Sequence, residues 1–126
     1  MPFEVSRNRF AKLVEQALAE LPGPIRQVLD EVSVEIRDRP TRRELKDVGL
    51  EEDELLLGLY VGRPLTERSV LDPPTIPDAV FIFQEDVQEV SNSAEDLVRE
   101  VRTTVLHELG HHLGMDEDDL AELGYE

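Results

Sequence analysis

"HELGHHLGMDEDDL", residues 107–120, holds all three histidines of a 126-residue chain. His107 and His111 stand four positions apart. On an α-helix each residue turns about 100°, so the two side chains lie about 40° apart and one turn along. Two imidazoles placed in this way can reach one metal ion from one face. Glu108 projects beside that face, where a carboxylate can take a proton from water held next to the ion. H-E-x-x-H on a helix is therefore a pattern for metal-assisted hydrolysis, with two neutral nitrogen ligands and an acidic general base. The competing role is structural: solvated side chains, or capping of a helix C-terminus, where positive charge is favoured. His112 falls on the apolar arc of the same helix and reads as a packed or capping histidine.

A zinc ion needs at least one more protein ligand and must keep one position open for chemistry. That ligand should come soon after a turn at Gly114. The spacing H-E-x-x-H-x-x-G-x-x-E brings Glu117 forward, and a two-histidine, one-carboxylate set is ordinary zinc chemistry. Asp116, Asp118 and Asp119 are rivals, with N-terminal capping of a last short helix as their alternative role.

The elements that must position these residues follow from periodicity. Ser93, with Glu95 and Asp96 behind it, opens the longest helix, Ala94 to Leu113, and Gly114 ends it in the left-handed conformation. Leu97, Val98, Val101, Val105, Leu106, Leu109 and Leu113 form its apolar arc, roughly opposite the histidines. Upstream, "SRNRFAKLVEQALAEL" (6–21) is an amphipathic helix with Ser6 as cap. "PGP" stops it, and a second short helix starts behind Pro24. "VSVEIRD" (32–38), "ELLLGLYVG" (54–62) and "AVFIFQ" (79–84) read as strands. A short helix or loop ends near Gly49, a proline-rich loop covers 63–78, "EDVQEV" is a helical turn and "DEDDLAEL" a final short helix. Helices, three strands and helices again indicate α+β rather than alternating α/β.

Composition narrows the function. The length suits one domain, 1–126, with one core. The formal charge is −16, from 13 basic and 29 acidic residues. That excludes nucleic acid and anionic membranes as natural partners, because both need a basic surface. There is no cysteine, so disulfides, thiolate catalysis and thiolate-bound zinc are absent. No apolar run reaches the length of a membrane span, and the first residues lack the apolar stretch of a signal peptide. A cytoplasmic location follows as the expectation.

"HELGHHLGMDEDDL", "LLGLYVGRPLTERS" and "PDAVFIFQ", with the helix order, cover most of residues 30–126. On these stretches the chain resembles the zincin metallopeptidases, in particular the small bacterial family of minimal zincin-like proteins. The resemblance implies a truncated zincin fold: a small sheet, an active-site helix and a glycine turn leading to an acidic third ligand. It implies His107 and His111 as zinc ligands and Glu108 as the base. Glu117, where metzincins carry their third histidine, follows by spacing alone. The methionine turn of metzincins is missing, since Met115 precedes the ligand position. No histidine or arginine follows Gly114 to stabilise an oxyanion; Tyr60 and Tyr125 remain as candidates, and an ordinary core or surface role is the first expectation for each. A peptide deformylase, also H-E-x-x-H, needs a cysteine ligand that this chain lacks.

The functional expectation is a zinc-dependent hydrolase that cleaves peptides or unfolded protein segments through a metal-activated water, with Glu108 as general base. "LLGLYVG" is the expected edge strand that aligns substrate by main-chain pairing. The alternative is a non-catalytic, zinc-stabilised module whose acidic surface binds a protein partner.

Overall fold

The computed structural model describes residues 2–62 and 78–122. The proline-rich stretch 63–77 and Tyr125 lie outside the described residues. The fold is α+β, with a three-stranded mixed sheet packed against helices. Among the described residues no helix is long and apolar enough to cross a membrane.

Helix α1 (Arg7–Ala19) starts at Ser6, whose hydroxyl accepts the N–H of Arg9 at 3.2 Å. Helix α2 is a single turn (Gly23–Arg26) that runs into a 3-10 turn at Gln27–Asp30. Strand β1 (Ser33–Arg37) leads to α3 (Arg42–Asp47), which opens on a reciprocal cap between Thr41 and Glu44. Strand β2 (Gly58–Val61), strand β3 (Ala79–Phe83), α4 (Gln84–Glu89), α5 (Ala94–His112) and α6 (Glu117–Glu122) complete the order.

The sheet order is β1-β3-β2. β3 is central, parallel to β1 and antiparallel to β2. All five of its residues are buried, which explains a run with no polar alternation. Val80 and Ile82 face the helices and join Phe10, Val14, Leu97, Val101 and Val105 in the main core. Ala79, Phe81 and Phe83 face the other way and pack with Leu56, Leu59 and Val61. Each apolar side chain buried completely in this way contributes about 1.5–3 kcal/mol.

Two expectations need correction. The second strand is shorter than 54–62. Leu56 gives its N–H to the buried Asp86 carboxylate at 2.9 Å, so the chain reaches the sheet through a side-chain contact before strand pairing begins. Leu113 is not part of the core; at 46% exposure it sits on the helix C-cap, where the backbone turns off the apolar arc.

Candidate metal centre and base

The histidines ride on α5, and its two ends explain why the helix is well defined. Ser93 accepts the N–H of Asp96 at 3.1 Å, and Glu95 and Asp96 place negative charge in the first turn. At the other end Gly114 adopts φ 80°, a conformation that favours glycine. The N–H of Gly114 reaches the carbonyl of His111 at 3.0 Å, and that of Met115 reaches Gly110 at 2.8 Å. These two bonds form a Schellman motif, which satisfies carbonyls that the helix would otherwise leave unpaired. Met115 then packs against the main core, so the chain beyond the turn is anchored.

Between these ends, Leu97, Val98, Val101, Val105, Leu106 and Leu109 are all buried. The other side of the helix carries the motif. The His107 and His111 rings lie on adjacent turns, with centroids 6.2 Å apart and planes inclined by 22°. His107 is half-buried and His111 exposed.

Glu108 has the most informative environment. Phe83 donates its N–H to the carbonyl of Leu57 at 3.0 Å. In an antiparallel ladder this alternation turns the main-chain groups of Gly58 and Tyr60 away from β3, toward the side of β2 that is the sheet's outer edge among the described residues. The outward N–H of Tyr60 donates to Glu108 Oε1 at 3.2 Å. Burial pushes the Glu108 carboxyl above its ordinary value, while the Tyr60 N–H and the charges of His111 and His107 pull it down by less.

Gly58 makes this contact geometrically feasible. A methyl group there would lie 2.5 Å from Thr104 Cγ2 and 3.0 Å from the carbonyl oxygen of Phe81. With no side chain at Gly58, α5 can lie close against β2. One turn further along the helix, Glu108 then meets Tyr60.

The residues after the turn are sorted by hydrogen bonding. Asp116 donates its N–H to Asp119 Oδ2 at 3.0 Å, and Asp119 donates its own to Asp116 Oδ1 at 2.9 Å. This reciprocal pair caps the start of α6. Asp118 is exposed. Glu117 opens α6, and its side chain, like that of His112, lies outside the described ones. Among the described residues no group of three or more histidine, aspartate or glutamate side chains is gathered to hold a metal ion. The donor types at His107 and His111 nonetheless suit zinc: two imidazoles on adjacent turns, accessible from outside, with a carboxylate beside them.

A long helix lying close along the edge of a small sheet, with H-E-x-x-H on its open side, is the arrangement of a zincin. The profile of the zincin-like metallopeptidases matches residues 29–125, and the chain belongs to that family. Among solved structures, a conserved hypothetical protein from Thermo thermophilus is similar, with TM-score 0.55 and 28% identity over 86% of this chain and 94% of that one. No curated protein matches.

Sequence reasoning missed the partner of Glu108. Tyr60 lies 48 residues away and contributes a backbone N–H, which leaves no signature in residue type. Gly58 within "LLGLYVG" was the available signal, because an isolated glycine in a strand often marks close approach of another element.

Proposed function

We propose that the protein is a zinc-dependent peptidase that acts on extended peptide segments laid along the outer edge of β2. One observation carries this reading: Glu108 reaches the outward N–H of the edge strand while it stands between His107 and His111 in the motif. In this reading the base, the ligands and the pairing edge for substrate meet at one place.

In this reading His107, His111 and Glu117 hold the metal. Zinc, when bound, supplies the Lewis acidity that amide hydrolysis requires at neutral pH. The outer edge of β2 at Gly58, beside the Tyr60 N–H that Glu108 already holds, aligns a peptide backbone with little regard for its sequence. Glu108 takes the proton of the attacking water as oxygen adds to the scissile carbonyl carbon. It then delivers that proton to the amide nitrogen as the C–N bond breaks. A carboxyl whose proton affinity is raised by burial suits transfer in both directions.

The hydrogen bond to Tyr60 also favours a second reading, a zinc-stabilised module without catalysis, because it gives Glu108 a task in tying α5 to β2. Glu108→Gln separates the two. An amide oxygen can still accept the Tyr60 N–H but cannot serve as a base. With a broad unfolded-peptide pool as substrate, the peptidase reading expects a variant that keeps zinc while cleavage falls by about two to four orders of magnitude. Equal cleavage by parent and variant refutes the role given to Glu108, and a zinc-loaded parent that cleaves nothing favours the module.

A further inference from the structure

The face of the sheet opposite α5 carries a cleft of about 400 Å³ that the chemistry above does not use. Its floor is apolar: Leu59, Val61 and Phe81, with the half-exposed Val48 on one wall. Among the described residues its charged lining is Glu44 and Asp47, both from α3. We propose that this cleft receives one lysine or arginine side chain of the bound peptide, so that the protein selects basic segments. The inference rests on the reading of β2 as the substrate-aligning edge.

Strand geometry connects edge and cleft. A peptide paired on the outer side of β2 extends the sheet, and its side chains alternate between the two faces. Those on one face run toward α5. Those on the other lie level with Leu59 and Val61, beside the cleft. A long cationic side chain satisfies both parts of such a lining: its methylene stem covers the apolar floor and its head meets the carboxylates.

The two carboxylates retain capacity for this. Glu44 uses Oε1 to accept the Thr41 N–H at 2.8 Å, which leaves its second oxygen for another donor. Asp47 lies 3.9 Å from Arg43 Nε in a pair whose side chains are both largely exposed, an arrangement of little strength. The Phe81 ring already carries the Arg37 guanidinium from β1, 3.9 Å from its centroid, so the incoming cationic head is assigned to the α3 carboxylates and not to the ring. An acidic side chain would face two carboxylates on a chain of formal charge −16. A purely apolar one would leave their charge unanswered.

The test uses the zinc-loaded protein and fluorescein-labelled heptapeptides of alternating valine and alanine that differ only at the centre: lysine, norleucine or glutamate. Binding is read by fluorescence anisotropy, and integrity of the peptide by mass spectrometry. The lysine peptide should bind at least about tenfold tighter than the norleucine peptide, the scale of a charge-assisted contact, and the glutamate peptide weakest. Glu44→Gln with Asp47→Asn should bring lysine and norleucine peptides to within about twofold; glutamine at the third position still supports the capping box. Asp30→Asn with Glu31→Gln removes the same charge outside the cleft and should leave the preference in place. Equal affinity for the three peptides, a preference that survives the cleft variant, loss in both double variants alike, or no binding of any peptide overturns the assignment. Cleavage is a separate readout. Selective binding without hydrolysis keeps the cleft and removes the peptidase, whereas unselective hydrolysis does the reverse.

Discussion

The main-chain N–H of Tyr60 donates to Glu108 Oε1 at 3.2 Å, so the carboxylate next to the first motif histidine is fastened to the edge strand. The bond joins the helix that carries the candidate ligands to the strand that would carry substrate. It also has a cost, since the carboxylate is drawn into surroundings that disfavour its charge.

That cost predicts a pH dependence for the metal-free protein. The folded state holds the Glu108 proton more tightly than the unfolded chain does. Folding is therefore penalised once pH rises from the ordinary carboxylate range through the higher folded value, and the penalty persists at neutral pH. Glu108→Gln removes it. After chelation, the variant should melt above the parent at neutral pH, and the gap should close as pH falls below the ordinary carboxylate range. Thermal unfolding of both proteins followed by circular dichroism checks this. A parent that melts higher at neutral pH would mean that the Tyr60 and histidine interactions outweigh desolvation.

A second prediction concerns metal content. Loading with zinc and elemental analysis should give about one ion per chain, the stoichiometry of a single site. His107→Ala with His111→Ala should abolish it while leaving the fold intact. Both side chains lie off the buried arc of α5, so their removal opens no core cavity. Unchanged zinc content in the double variant would place the ion elsewhere.

Gly58 yields a packing prediction. Gly58→Ala puts a methyl 2.5 Å from Thr104 Cγ2 and should cost about 1–3 kcal/mol, the usual scale of overpacking. Thr104→Ser deletes that methyl and little else, so it should recover part of the loss, with a coupling of at least about 0.5 kcal/mol in a double-mutant cycle. Recovery should be incomplete, because the Phe81 carbonyl at 3.0 Å remains. Denaturant unfolding of the four proteins measures the cycle, and strict additivity would show that the contact does not set the spacing of α5 and β2.

How much of this was readable in advance depends on distance along the chain. The frame of α5 was legible because Ser93, the apolar arc and Gly114 act within a few residues of one another. His107, Glu108 and His111 fell together for the same reason. β3 was legible from its unbroken β-branched and aromatic run. Residues 54–57 misled because apolar composition does not reveal that Asp86, thirty residues on, takes the Leu56 N–H. α4 is the converse. "EDVQEV" reads as a helical turn and Gln84 as the end of the third strand, yet the helix starts at Gln84, and Gln84, Asp86 and Gln88 are buried despite their polarity. Gln88 accepts the Val5 N–H at 2.9 Å and Gln84 donates to the Val5 carbonyl at 3.0 Å, so these amides hold the N-terminal segment much as a strand would. The Tyr60–Glu108 contact and the cleft beside α3 both require the sheet to be assembled first.

The last prediction separates ligand from cap among the four consecutive acidic residues Asp116, Glu117, Asp118 and Asp119. Asp116 and Asp119 are already committed to each other's backbone N–H at the start of α6. A carboxylate that binds a metal has to leave such a bond or share its oxygens. Asp116→Asn and Asp119→Asn should therefore act mainly on α6: truncating such a cap costs about 0.5–2 kcal/mol, and asparagine, itself a good cap, should cost toward the lower end. Their zinc affinity should stay within a few fold of the parent. Glu117→Gln should do the opposite, leaving stability of the metal-free protein nearly unchanged and weakening zinc binding by at least about tenfold, the scale at which even groups supporting a ligand are felt. Asp118→Asn should change neither, since it is exposed and outside the reciprocal pair. Competition titration with a chromophoric zinc chelator gives the affinities, and chemical denaturation of the metal-free proteins gives the stabilities. A larger loss of affinity in any aspartate variant than in Glu117→Gln would move the third ligand to that aspartate.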